Sequence, residues 1–404
     1  MENRSLKNLT ITEVVSELQK DNLRKNDMIV PSRLLSMVEG KIIVKSNEDN
    51  DALNKLLVET GITMEDSAYN IIELGVLDTC HSHLSSRLNI PKKYYDLMNG
   101  EEDLSLIDHN VTHWLHNANK NYLLRSFIDK EEKNGVVRGL LSDRYNVMDN
   151  YDVMLATLQA VKETGINVQI ESGDITDKKF FLRFTCPDIE VEAPELLKNY
   201  KVPNGSPSNN GIITGFVISN SETGFGTFSI SPRAVVLACS NGMIFKDDAY
   251  AKRHLGSKLD EYSTIDWSEG TRTKNFELVC SQVKDAIKTY ASQDYLKGKI
   301  QDLSDKGNKE LNHPIDCVKN VTKHLIIGEE KEKSILDYFF KSGDSTGFGV
   351  TQAITYYAQH NASPEERFEL ESKGVEVLSN IDSFDVAVVK ERASKIGSSH
   401  TSLN

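Results

Sequence analysis

The chain has 404 residues, 39% of them hydrophobic and 26% charged, which is enough apolar chain to bury at least one sizeable core and excludes a disordered or collagen-like protein. With 47 Lys and Arg against 60 Asp and Glu the net charge is −13, so a surface basic all round is excluded while one local basic groove is not. No window approaches about 18 uncharged apolar residues, Met1 to Leu18 is polar, and the five scattered cysteines (Cys80, Cys186, Cys239, Cys280 and Cys317) form no CxxC pair; no membrane span, secretory leader or disulfide framework is expected, and the expected location is the cytoplasm.

In Ile11 to Leu23 the apolar residues Ile11, Val14, Val15 and Leu18 recur at i, i+3, i+4 and i+7, with Thr12 as the capping residue, so the spacing predicts an amphipathic helix. Lys41 to Lys45 predicts a short strand, and Pro91 suits the first turn of a helix, where its missing N–H costs nothing. Residues 1–120 are expected to form a mainly helical N-terminal region.

The period then changes. Asn121 to Asp129 and Val136 to Tyr145 predict a β-hairpin about Asn134-Gly135, and Asp149-Asn150 predicts the start of a helix over Tyr151 to Glu163 that Gly165 ends. Strands are expected at Asn167 to Glu171, Lys179 to Cys186, Ile212 to Ser219 and Gly226 to Ser231, with an exposed loop from Pro203 to Gly211. Leu123, Phe127, Val137, Leu140, Phe181, Phe184, Phe216, Ile218 and Phe228 supply the apolar side of these runs, and Val153, Leu155, Leu158 and Val161 could cover them. The expectation for residues 121–245 is one antiparallel sheet backed by that helix. Residues 246–393 read as helical, with helices at Thr273 to Tyr290, Ile315 to Leu325, Lys331 to Phe340, Val350 to Gln359 and Pro364 to Leu378, and a disordered tail is expected over 394–404. The fold class read from the sequence is therefore α+β, a central antiparallel sheet with helical N-terminal and C-terminal regions.

Few motifs carry chemistry. His109, His113 and His116 share one helix face, a geometry that suits either a metal ion or a plain polar face, and no HExxH glutamate accompanies them. Cys80-His81-Ser82-His83 has no second ligand pair nearby, and Gly224-Phe225-Gly226 and Gly347-Phe348-Gly349 fit no nucleotide-binding signature. No metal, cofactor or catalytic residue is assigned. A mixture of cations and rings stands out instead. Lys120, Tyr122, Arg125, Arg138, Arg144 and Tyr145, with Phe127 among them, could hold phosphates by the arginines and stack bases on the tyrosines, although a solvated sheet face gives the same pattern. A second polar group, Asn220, Glu222, Arg233, Cys239 and Asn241, clusters around one hairpin, with Glu222 as general base, Arg233 as anion clamp and Asn241 as orienter if it is an active site; satisfied turns are the alternative.

The run Val136-Val137-Arg138-Gly139-Leu140-Leu141-Ser142-Asp143-Arg144-Tyr145-Asn146-Val147-Met148-Asp149-Asn150, the hairpin Asn220-Ser221-Glu222-Thr223-Gly224-Phe225-Gly226 and the element Cys239-Ser240-Asn241-Gly242, in this order, resemble the phage/plasmid-like proteins of domain of unknown function 932. Thr351-Gln352-Ala353-Ile354-Thr355 is similar to their C-terminal helix, and the likeness spans roughly residues 85–380. Gly242 and Gln352 depart from the commoner residues at their positions. The resemblance implies a bacteriophage or plasmid protein of the host-cell cytoplasm and no established activity; the strand and helix order is also loosely similar to single-strand annealing proteins of the RecT and Erf type, a likeness that carries no function. Three readings follow: a non-enzymatic protein handling single-stranded DNA or RNA in replication or recombination, as a homo-oligomer or alone; an enzyme built on the Asn220/Glu222/Arg233 group; or a protein that binds a host factor.

Overall fold

The computed structural model describes residues 4–45, 71–129, 134–201, 210–252 and 269–387. In chain order the N-terminal part holds β1 (Ser5–Leu9), α1 (Ile11–Arg24), β2 (Lys25–Pro31), β3 (Leu35–Val38), β4 (Lys41–Lys45), β5 (Ile71–Val76), α2 (Asp78–Arg87), α3 (Lys92–Asn99) and α4 (Ser105–Ala118). The middle holds β6 (Asn121–Asp129), β7 (Asn134–Ser142), α5 (Asn150–Thr164), β8 (Gln169–Thr176), β9 (Phe180–Glu192), the short α6 (Pro194–Leu197), β10 (Gly211–Asn220), β11 (Phe228–Val236), β12 (Asn241–Ile244) and β13 (Tyr250–Lys252). Helices α7 (Glu269–Tyr290), α8 (Gln293–Gly307), α9 (Pro314–His324), α10 (Glu329–Ser342), α11 (Gly347–Asn361), α12 (Pro364–Ser379) and α13 (Ile381–Phe384) complete the described chain. The class is α+β, as expected. The Pro203 to Gly211 loop, apart from its last residues, and the 394–404 tail lie outside the described residues.

The strands form two sheets where the sequence predicts one. Seven strands run in the order β1-β8-β9-β10-β11-β12 with β13 beside β11, and six run in the order β2-β6-β7-β5-β4-β3. The β6–β7 hairpin belongs to the second sheet because both its edges are taken: β2 pairs with β6 from Lys25↔Phe127 to Pro31↔Asn121, and β5 pairs in parallel with β7 at Gly75↔Val136. These partners come from the N-terminal region, whose short, half-polar strands have weak alternation and were read mainly as helix. Helix α1 is capped by Thr10 and not Thr12. The Thr10 hydroxyl accepts from the Glu13 N–H, and the Glu13 carboxylate accepts from the Thr10 N–H at 2.8 Å.

Alternation along β9 and β10 sorts the two faces of the seven-stranded sheet. Phe180, Leu182, Phe184, Phe216 and Ile218 pack under Val153, Met154, Ala156 and Ala160 of α5 and Val279, Val283 and Ile287 of α7. Leu155, read as part of the covering face, is 39% exposed, because the helix turns Met154 and Ala156 inward in its place. On the opposite face Phe181 and Val217 meet Ile244 and Phe368 of α12. The six-stranded sheet has its own core against α2, α3 and α4, with Tyr95, Ile107, Val111 and Leu115 among its buried residues. No helix among the described residues is long and apolar enough to cross a membrane.

Candidate functional site

An arginine inside an apolar strand must be matched by acids once water is gone. Arg125, in Tyr122-Leu123-Leu124-Arg125-Ser126-Phe127, is fully buried. Its Nε and Nη2 donate to Asp27 at 2.8 to 3.1 Å, Nη2 donates to Asp149 Oδ1 at 2.5 Å, and Nη1 donates to the Glu222 carbonyl oxygen at 2.8 Å. Lys25 Nζ donates to the other Asp149 oxygen at 2.5 Å. One strand over, Arg138 Nη1 donates to Glu222 Oε2, and Glu222 Oε1 accepts the Asn150 N–H at 2.6 Å, which places a carboxylate on the positive N-terminus of α5. Asn220 Nδ2 donates to Met148 O and Asn150 Oδ1, both at 2.9 Å, and the Tyr145 hydroxyl donates to the Ser221 carbonyl at 2.7 Å. Burial disfavours the charge of Arg125, but Asp27, Asp149 and Glu222 outweigh it and raise its pKa. Burial opposes ionisation of Asp149 too, yet Arg125 and Lys25 hold it below the usual carboxylate range.

These bonds correct the expected nucleic-acid face. Tyr122, Arg125 and Arg138 are 3%, 0% and 5% exposed, so none of the three can reach a phosphate or a base. The turn between β10 and β11, together with the start of α5, covers the two arginines on one side of the hairpin, while Tyr122 faces the other side and packs into the core against α2, α3 and α4. Lys120 and Arg144 are exposed and Tyr145 is half-buried. The register Tyr122↔Ser142 puts Lys120 and Arg144 at the same end of the hairpin.

That end gains residues the sequence reading missed. Ser221 Oγ donates to Lys178 O at 2.7 Å and Thr223 Oγ1 to Asp177 O at 3.1 Å, so the β8–β9 turn packs on the β10–β11 turn. Lys178 Nζ lies 5.7 Å from the ring centroid of half-buried Phe225, and His83 stacks on that ring at 5.0 Å. Exposed Arg87 follows His83 by one turn of α2. Lys178 and His83 thus flank Phe225, Arg87 lies one turn beyond His83, Tyr145 bonds to the same β10–β11 turn, and Lys120 and Arg144 stand at the hairpin end that leads into Tyr145, so five segments contribute cations and rings. The adjacent Lys178-Lys179 pair at a turn after Asp177 was the available signal.

The alternative polar site is divided. Asn220 and Glu222 belong to the junction just described. Arg233 lies opposite Gly215, five residues and about 17 Å of extended strand before Asn220. It joins a second network with Arg183, Arg367, Asp174, Glu171 and Glu371, all buried except Glu171 at its rim. Arg183 pairs with Asp174, Arg233 Nη1 with Glu171, Arg233 Nη2 with Glu371 at 3.2 Å, and Arg367 Nε with Glu371 at 3.0 Å. Burial opposes ionisation of Glu371, and Arg233, Arg367 and Arg183 together lower its pKa. Gly242 of β12 makes room: a Cβ there would stand 2.0 Å from Arg233 Nε. Cys239 and Asn241 form a third group, in which Asn241 Nδ2 donates to Gln352 Oε1 at 3.0 Å and the Cys239 thiol to the same oxygen at 3.8 Å. Burial pushes that thiol up to about 11, so it stays protonated at neutral pH and is a poor nucleophile. Glu222, Arg233 and Cys239 therefore do not converge on one substrate.

The four segments that carry the resemblance pair off in space. The Arg138 to Asn150 run meets the Asn220 to Gly226 hairpin, and Cys239-Ser240-Asn241 meets Gln352. On α4, the rings of His109 and His113 stand 6.1 Å apart, while His116 Nε2 lies 3.3 Å from Ser36 Oγ. No group of three or more potential ligands among the described residues is placed to hold a metal ion. Compared with family profiles, curated proteins and solved structures, the chain matches none.

Proposed function

We propose that the protein binds single-stranded nucleic acid, in the phage or plasmid setting that the resemblance implies, through the surface formed by Lys120, Arg144, Tyr145, Lys178, Phe225 and Arg87. The single observation that carries this reading is the packing of the Lys178 turn against the Phe225 turn, which sets an exposed lysine beside a half-buried ring. Cations next to rings match the two parts of a single strand, its phosphates and its unstacked bases. The neighbouring junction supports the reading in another way: Arg125, Arg138 and Asn150 fix the backbone and side chain of Glu222, so the recognition turn is held in one shape before any ligand arrives. The net charge of −13 is compatible with it, since only a local field is needed. Host cytoplasm as the location belongs to the same proposal.

The test is fluorescence anisotropy with a labelled strand of about 40 nucleotides, titrated at low and at physiological salt. Binding should be tight at low salt and fall by at least tenfold in Lys178→Ala/Arg144→Ala, with Lys306→Ala, on α8, as the control that changes nothing. An absence of binding at low salt to both single and double strands removes the reading.

A further inference from the structure

Arg138 carries a loose end. Its Nη1 is taken by Glu222, but Nε and Nη2 have no hydrogen-bond partner among the described residues, in a residue only 5% exposed. Buried N–H groups in native proteins are almost always met by protein or by ordered water. Arg138 borders a cavity of about 10 Å³, whose wall also includes the cation Lys25, the acids Asp21, Asp149 and Glu222, and Asn22. That is close to the smallest space that admits one water molecule, and it is too small for any organic group.

The chemistry of the wall selects among small occupants. Arg138 needs an acceptor, whereas the carboxylates, each oxygen already bonded once, keep a further lone pair for a donor and repel an anion. Chloride would meet Arg138 and Lys25 but face the three acids Asp21, Asp149 and Glu222; an ammonium ion would meet the acids but face both cations. Water alone both accepts and donates. We propose that this cavity is a binding site for a single ordered water, which accepts from Arg138 and donates to a carboxylate of the wall, beside the junction that holds the Glu222 turn. The proposal is independent of what binds at the surface above.

High-resolution diffraction from crystals of the full chain, with a parallel bromide soak, decides it. The expected result is a water peak within hydrogen-bond distance of Arg138 Nε or Nη2 and of one wall carboxylate, without anomalous bromide signal. A bromide peak at that position overturns the proposal, and so does a dry cavity in which Arg138 has turned to bond both nitrogens to protein. In solution, oxygen-17 relaxation dispersion should lose one long-lived water in Arg138→Met, and an unchanged amplitude in a folded variant counts against the site. The crystal measurement needs no variant, so it decides the matter even if Arg138→Met does not fold.

Discussion

Arg125 Nη1 donates to the carbonyl oxygen of Glu222 at 2.8 Å, so a central strand of the six-stranded sheet grips the turn between two strands of the seven-stranded one. Around that bond Asp27 and Asp149 neutralise the same guanidinium, and Asp149 begins α5. Three elements are tied by one side chain. Arg125→Met keeps much of the volume but strands Asp149 with only Lys25, and losing one partner of a buried pair costs roughly 3–5 kcal/mol. Urea unfolding should show a midpoint lowered accordingly. A loss below about 1 kcal/mol would mean that the Arg138–Glu222 pair, the Tyr145 hydrogen bond and apolar contact hold the two sheets together without Arg125.

Gly242→Ala should be as damaging as a much larger change. The added methyl would lie 2.0 Å from Arg233 Nε and 2.2 Å from Nη2, and Arg233 is 1% exposed, so the guanidinium has no solvent to retreat into. Displacing it breaks contact with Glu171 and Glu371. Overpacking and a disturbed buried pair together suggest a loss of about 2–4 kcal/mol. Differential scanning of Gly242→Ala against Gly298→Ala, where a Cβ meets nothing within 4 Å, separates the steric effect from a general glycine effect.

The elements were legible where periodicity was strong. Helix α5 and its Gly165 end, β10, and the helices from Pro314 to Ser379 lie within a few residues of where spacing puts them. What could not be read was partnership. Nothing in Lys25-Asn26-Asp27-Met28-Ile29-Val30-Pro31 says that it pairs with β6, about a hundred residues on, and that pairing decides which sheet owns the hairpin. The arginines illustrate the same limit. Arg125, Arg183 and Arg233 each stand alone in an apolar strand, a pattern that signals a buried ion pair, but counted together with neighbouring tyrosines Arg125 reads as a binding face. Exposed Lys120 and Arg144 were identifiable because they flank the strands instead of interrupting them.

Stability should fall with acid from about pH 6.5 downward because of His83. Burial, then Arg87, lowers its pKa from 6.5 to about 4; its Nδ1 lies 3.2 Å from Leu140 N and accepts that N–H, and its ring stacks on Phe225. A folded pKa below the unfolded one means that the unfolded chain binds the proton first, so the stability is fully present above pH 6.5 and is lost as pH falls toward about 4. The difference corresponds to roughly 3 kcal/mol. Urea midpoints between pH 7.5 and 4.5 should decline in the wild type. His83→Gln, which keeps an acceptor but cannot charge, should flatten that part of the curve, and an equal slope in both proteins would locate the titration elsewhere.

Exposed and buried cations should separate cleanly in a salt titration. For single strands the logarithm of affinity falls with the logarithm of salt by about 0.7 for each phosphate neutralised. Arg144 and Lys178 are exposed, and neither forms an ion pair with a carboxylate among the described residues, whereas Arg138 is ion-paired to Glu222 and 5% exposed. Arg144→Ala and Lys178→Ala should therefore each lower the slope by about 0.7 while leaving the urea midpoint within roughly 0.5 kcal/mol of wild type. Arg138→Met should do the reverse: it loosens the Glu222 turn and costs stability, and in whatever fraction remains folded the slope is unchanged, because that guanidinium never met a phosphate. If Arg138→Met changes the slope and Arg144→Ala does not, the strand enters between the two sheets, and the surface assigned to it at the hairpin end is the wrong one.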